Sequence, residues 1–110
     1  MKIENKTVED IIIIEIEGSI DSKTAPEFEA SVKNATGNFK KVVVDLTKVD
    51  FCSSAGLRVL LLLYRNIKAS NGQSVLTGVS DDIKEIMGDT GFIKFFAFSE
   101  TVEAGIQTFK

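Results

Sequence analysis

The succession of elements in these 110 residues predicts an α/β domain. The expected architecture is a mixed, mostly parallel sheet with an N-terminal β-hairpin and about four helices packed mainly on one side. Three observations predict it. The runs Ile11 to Ile14 and Val42 to Val44 have the β-branched composition of strands covered on both faces. Stretches with apolar residues at helical spacing alternate with further short strands, so strand-helix-strand units give parallel pairs with right-handed crossovers. The first two strand patterns are separated only by Glu9 and Asp10, which makes them a hairpin and adds the antiparallel element. No repeat, low-complexity stretch or Pro/Gly/Ser linker interrupts the chain, and one domain spanning 1–110 is expected.

Each element has a local reason. Lys2 to Lys6 alternate in polarity, as in a half-exposed strand. Ile11 to Glu17 begin fully apolar and end alternating. Gly18 to Lys23 read as a loop. Thr24-Ala25-Pro26-Glu27 fits a helix start, with Thr24 as cap, Pro26 in the first turn and Glu27 reaching back as in a capping box. Phe28, Val32 and Ala35 share one face of that helix, which Thr36-Gly37-Asn38 should end. Val42 to Leu46 predict a central strand, Val49 to Ala55 a loop, and the chain to Ala69 a helix. Leu57, Leu60, Leu61, Tyr64 and Ile67 form its stripe, widened by Val59, Leu62 and Leu63. A helix apolar nearly all round is buried against neighbours or kept for a partner. Asn71-Gly72 breaks it. Ser74 to Val79 follow as a strand, then a helix from Ser80 to a stop at Gly88 with Ile83, Ile86 and Met87 inward. Ile93 to Phe98 predict a last strand. Ser99 is the expected cap of a terminal helix carrying Val102, Ile106 and Phe109.

Composition excludes several functions. The chain holds 13 basic and 16 acidic side chains, a net charge of −3, no His and one Cys. Without His there is no Ser-His-Asp or Cys-His catalysis, no HExxH metal site and no histidine phosphorelay. One thiol makes neither an internal disulfide nor a multi-Cys zinc site, and it fits a reducing compartment. The first residues, MKIENKTVED, lack the apolar core of a secretory signal, and no apolar run reaches membrane-spanning length. The acidic balance argues against direct nucleic-acid binding. The expectation is a cytoplasmic domain with no cofactor, no metal and no contact with membrane or nucleic acid.

The informative stretch is Val49-Asp50-Phe51-Cys52-Ser53-Ser54-Ala55-Gly56-Leu57, which follows a buried strand and opens a buried helix. Ligands and partners of α/β sheets collect at the carboxyl ends of strands. Two serines here stand among unpaired helix N–H groups, where a phosphate is tolerated. From spacing alone the plainer reading is stronger: Ser53 or Ser54 is an N-cap, and Gly56 relieves crowding where helix meets sheet. The stretch has no GxxxxGK[ST] and no GxSxG, so it is neither a P-loop nor a nucleophile elbow.

The whole chain resembles the STAS domain, and within it the bacterial anti-sigma factor antagonists. Gly18-Ser19-Ile20-Asp21 with Thr24-Ala25 is similar to that family's loop before its first helix. Val42-Val43-Val44-Asp45-Leu46 is similar to its central strand, and Phe51 to Leu57 with Arg58-Val59-Leu60-Leu61 to its phosphorylation loop. The resemblance implies a binding module without catalysis of its own. Its partner would be an anti-sigma factor that is also a serine kinase, captured while the antagonist is unphosphorylated, so that a sigma factor is freed. Phosphorylation separates the pair and a serine phosphatase resets it. Ser54 would be the phosphoacceptor rather than Ser53, because its register to Gly56-Leu57 matches. Asp21, Ser53, Ser54, Gly56 and Leu57 would form the partner-binding set. Many members carry Asp before the acceptor, where this chain has Ser53, although Ser-Ser-Ala-Gly-Leu is a frequent variant.

Other residues read more plainly. Without the resemblance, Asp21 is a helix cap or an Asx-turn. Asp45 and Asp50 flank one junction but lack a nucleophile or base beside them, so loop stabilisation or solvation is expected. Cys52 reads as a small buried apolar residue. Phe92, Phe95, Phe96 and Phe98 read as core, or as contact surface where exposed. Lys40-Lys41 read as solvated. The alternative function is a STAS subunit of a stressosome-like scaffold or lipid-transport complex, without a phosphoserine switch. A small enzyme is the third reading, and it lacks a catalytic set.

Overall fold

The computed structural model describes residues 1–110. Its strands are β1 (Lys2–Val8), β2 (Ile11–Ile20), β3 (Lys41–Cys52), β4 (Gln73–Thr77) and β5 (Phe98–Ser99). Its helices are α1 (Ala25–Thr36), α2 (Ser54–Ala69), α3 (Asp81–Thr90) and α4 (Val102–Gln107), with a 3₁₀ turn at Phe92–Phe95. One sheet holds all five strands in the order β1-β2-β3-β4-β5. The first pair is antiparallel and the other three are parallel. The predicted architecture is therefore the observed one. No helix is long and apolar enough to cross a membrane.

The β-branched runs explain the layering. Successive strand residues point to opposite faces, so a run apolar throughout must be covered twice. Ile12, Ile14, Ile16, Val42, Val44 and Leu46 belong to the large core, which takes in Phe28 and Val32 of α1, Leu57, Leu60 and Ile67 of α2, and Ile83 and Met87 of α3. Ile11, Ile13 and Val43 face the other way, against Val102 and Ile106 of α4 and Phe109 just beyond it. Three helices thus cover one face and a single short one covers part of the other.

Helix α2 resolves the question of its wide apolar surface. Val59 and Leu63 are buried, in the seam against α1, along with Leu57, Leu60, Leu61 and Ile67 of the predicted stripe. Tyr64 is half-buried, and Leu62 is the apolar residue that stays exposed, at 37%. The polar side carries exposed Arg58 and Arg65.

Several boundaries differ from expectation, each for a local reason. Gly18 to Ile20 are strand, and so are Val49 to Cys52. Register shifts between Glu15 and Glu17, and between Gly18 and Ser19, show that β3 carries extra residues relative to β2 at two places. These bulges change the inward period of β3 from two to three, so Leu46, Val49 and Cys52 are the buried positions. Asp45 braces the first bulge by accepting from the Thr47 amide at 3.0 Å and from its hydroxyl at 2.6 Å. Asp50 accepts from the Ser19 hydroxyl at 2.9 Å across the second. Both aspartates stabilise the chain locally, as expected.

Helix α3 passes through Gly88 and ends at Gly91, whose φ of +79° supplies the left-handed residue that closes a helix. The predicted last strand is mostly the 3₁₀ turn, and β5 has only two residues. Thr101, not Ser99, caps α4 by accepting from the Ala104 amide at 3.1 Å. Ser99 instead shares a 2.7 Å hydrogen bond with the buried Thr77 hydroxyl. Thr24 stands at the N-cap of α1 without capping it, and Glu27 makes no reach-back bond.

Candidate functional site

Two strand-to-helix turns lie side by side at the carboxyl end of the sheet. Ile20 and Cys52 are partners at the ends of β2 and β3, and the Ser53 amide donates to the Ile20 carbonyl at 2.8 Å. The turn Asp21–Thr24 is thereby tied to the turn at Ser53. The two are brought together by the parallel pairing of β2 with β3, which no local pattern reveals.

The second turn is nearly as short as such a turn can be. Cys52 ends β3, Ser53 is the cap, and Ser54 is already the first residue of α2. Ser53 adopts extended backbone (φ −77°, ψ 172°), and its Oγ accepts from the Gly56 amide at 3.3 Å. Its carbonyl accepts from the Leu57 amide at 3.0 Å. Ser53 is thus the helix cap. Ser54 is exposed and its hydroxyl has no hydrogen-bond partner within the chain. No acidic side chain stands in the first turn of α2.

Gly56 and Leu57 hold this turn from beneath. A Cβ on Gly56 would lie 2.6 Å from Cγ2 of Ile20 and 2.8 Å from Sγ of Cys52, so only glycine lets the helix sit this close to both strand ends. Leu57 is fully buried in the core. Neither presents a side chain at the surface of the turn. Cys52 is buried as expected, and burial pushes its thiol up to about 11, out of the range of a reactive thiolate.

Asp21 is committed to its own turn. Its Oδ1 accepts from the amides of Lys23 at 2.9 Å and Thr24 at 3.0 Å, and lies 3.2 Å from the Thr24 hydroxyl. These donors, the Thr24 amide first and then that of Lys23, hold its carboxyl below the usual carboxylate range. The Asx-turn reading of Asp21 describes this geometry. The Thr24 hydroxyl donates in turn to the Ser19 carbonyl at 3.0 Å.

An open groove of about 560 Å³ runs between α1 and α2 with Ser54 among its lining residues. Ala25, Pro26, Ala55 and Val59 give it small apolar walls, and Glu29, Lys33 and Arg58 supply charge. Beside the turn, Phe51 is 49% exposed, the most exposed large apolar side chain of the chain. A loop over Val49 to Ala55, as the sequence predicts, would give Phe51 no fixed direction, whereas it stands in β3. In the bulged strand, with Val49 and Cys52 inward, the two residues between them, Asp50 and Phe51, are turned out. The other phenylalanines are half-buried, apart from the wholly buried Phe28. Phe96 packs edge-on against Tyr64 and Phe98 at ring separations of 6.2 and 6.4 Å.

The chemistry open to this site is limited. Ser54 has no base beside it and is not an activated nucleophile. What it offers is a free hydroxyl at a helix N-terminus, at the edge of a groove and near an exposed aromatic ring. A hydroxyl so placed can accept a group from another protein.

Comparison with known proteins agrees on the family. The STAS domain model matches residues 2–105. BtrV of Bordetella bronchiseptica, provisionally named an anti-sigma factor antagonist, is 30% identical over 111 residues, spanning 100% of this chain and 96% of BtrV. Among solved structures, an anti-sigma factor antagonist from Mycobacterium paratuberculosis superposes with a TM-score of 0.87 at 21% identity, covering 97% of this chain and 92% of that one. The Bacillus cell fate determinant SpoIIAA in its phosphorylated form gives 0.76 at 17% identity, covering 99% and 100%.

Proposed function

The chain belongs to the STAS domain family, and from that premise we propose that it is a phospho-regulated anti-sigma factor antagonist without catalytic activity. In this reading it binds an anti-sigma factor serine kinase while Ser54 is unmodified, which frees a sigma factor in the cytoplasm. Transfer of a phosphoryl group to Ser54 breaks the complex, and a serine phosphatase restores it. The partner surface comprises Ser53, Ser54 and the Asp21 turn, with Phe51 as its apolar contact. Gly56 and Leu57 seat the turn from below.

One observation carries the proposal: of two adjacent serines, Ser53 spends its hydroxyl on the cap and Ser54 leaves its own free and exposed. BtrV's name, and a SpoIIAA structure in phosphorylated form, support the reading by kinship.

The switch follows from electrostatics. A phosphate adds about −1.5 to −2 charges. At the start of a 16-residue helix with no acid in its first turn, that anion is compatible with the fold. The effect falls on the partner, where a desolvated unpaired anion costs several kcal/mol. About 3 kcal/mol weakens binding more than a hundredfold.

The test is affinity capture from the source cell's lysate with wild type and Ser54→Asp as parallel baits. A small ATP-binding serine kinase retained by wild type and lost with Ser54→Asp is the expected result. Identical partners on both baits, or transport components without a kinase, would return Ser54 to a plain surface residue. The chain would then read as a STAS subunit of a scaffold or transport complex.

A further inference from the structure

The open edge of the sheet carries a pattern that the switch does not use. β1 lies at one end of the strand order, and its only neighbour is β2. Six of its seven residues are exposed, and it holds neither Pro nor a bulge to blunt its edge. Its hairpin closes on Val8 and Ile11 across two residues. A two-residue hairpin closes on a hydrogen-bonded pair, so Val8, Lys6, Glu4 and Lys2 direct their backbone groups at β2. Thr7, Asn5 and Ile3 direct theirs outward.

We propose that this chain forms a two-fold dimer by antiparallel pairing of β1 with β1 of a second copy, in the register that sets Asn5 opposite Asn5. The occupant is argued from charge. In this register Glu4 faces Lys6 of the second copy, and the symmetry repeats the pair. Ile3 faces Thr7, and Lys2 lies over the half-exposed Val8. The outward groups of Ile3, Asn5 and Thr7 meet their counterparts. The Glu4–Lys6 positions fall on the non-hydrogen-bonded pairs, where side chains approach more closely.

Neighbouring registers fail. Centring on Glu4 opposes Glu4 with Glu4 and Lys2 with Lys6, and centring on Lys6 opposes the two lysines. Centring on Ile3 matches Lys2 with Glu4 but leaves Lys6 to Val8 beyond the partner. Lysines on an edge strand ordinarily discourage pairing. Within one copy Lys6 pairs with Glu15 at 2.8 Å and Glu4 with Lys2 at 3.2 Å, both at the surface. The register adds Glu4 of the second copy beside each Lys6, so the edge lysine is met by an acid instead of by another lysine.

The experiment is sedimentation equilibrium of the full chain over a wide concentration range, for wild type, Glu4→Lys, Lys6→Glu, the double swap and Asn5→Pro. Wild type should show monomer–dimer equilibrium. Either single reversal should weaken the dimer by about tenfold or more, and the double swap should regain most of that loss. Asn5→Pro removes an outward amide at the centre of the pairing and should abolish the dimer. Its circular dichroism should stay that of wild type, because the β1–β2 bonds do not use that amide. If wild type stays monomeric throughout, the proposal is wrong. A dimer indifferent to Asn5→Pro, or reversals that the double swap fails to rescue, would place self-association on another face and overturn it equally.

Discussion

The turns after β2 and β3 are built from similar materials and end in opposite states. Both leave the carboxyl end of a strand in the same sheet and lead into helices that pack on one another, and a single hydrogen bond from the Ser53 amide to the Ile20 carbonyl joins them. In the first, the Asp21 carboxylate collects two amides and the Thr24 hydroxyl reaches back to Ser19, so the polar groups of Asp21 and Thr24 are consumed internally. In the second, Ser53 alone does the capping, and Ser54 keeps its hydroxyl for the outside. A buttress and an accessible group thus stand together, and rigidity in one presents the other in a constant position.

Substitutions at four positions measure that contrast, in falling order of effect. Leu57→Ala empties a fully buried position beneath the second turn and should cost about 2–5 kcal/mol in chemical denaturation, with loss of partner binding through loss of fold. A cost below 1 kcal/mol would mean that the turn is not seated by the core. Asp21→Ala should come next, lowering Tm more than Ser53→Ala does, since it removes an acceptor of two backbone donors. Ser53→Ala should cost about 1 kcal/mol, and Ser53→Gly less, as for other N-caps. Ser54→Ala should change stability by no more than about 0.5 kcal/mol while abolishing phosphoryl transfer to the chain. Labelling that persists on Ser54→Ala and vanishes on Ser53→Ala would reverse the two roles.

Acid sharpens the same comparison. The Asp21 carboxyl is held below its ordinary value in the fold, so the unfolded chain binds its proton first as pH falls. The stability it contributes is complete above the ordinary carboxylate range and declines as pH drops through the lowered value. Tm of wild type should therefore fall faster than that of Asp21→Asn below about pH 4, and the two curves should run parallel at neutral pH. Parallel curves throughout would show that the first turn is not braced by the carboxylate.

How much of this was legible beforehand depended on the range of the interactions. The hairpin could be read because its two strands are neighbours in sequence. The helices α1, α2 and α3 followed from apolar spacing, although Gly88 misled: a mid-helix glycine lowers propensity without ending a helix, and Gly91 with positive φ did the ending. The segment after α3 differs from the predicted strand, because the β-like composition of Ile93 to Phe98 says nothing of how it packs. Its rings pack on the core from a 3₁₀ turn and a two-residue edge. The capping expectations failed at Thr24 and Ser99 for one reason. Each hydroxyl found a partner other than the helix, the Ser19 carbonyl for Thr24 and the Thr77 hydroxyl for Ser99.

At the site, residue types alone identified Ser53 and Ser54 as the informative pair and left the division of labour between them open. The sequence by itself determined the α/β order, the doubly covered strands and the helix faces, because periodicity and composition act over a few residues and survive any arrangement of the rest. The family came from the resemblance of three motifs, not from periodicity. Tertiary structure alone decided that the Asp21 turn abuts the Ser53 turn and that Phe51 is thrust outward. Those facts depend on the register of β2 against β3 and on two bulges within it. Register is a contest between whole strands, settled by which apolar set reaches the core, and no single residue carries it.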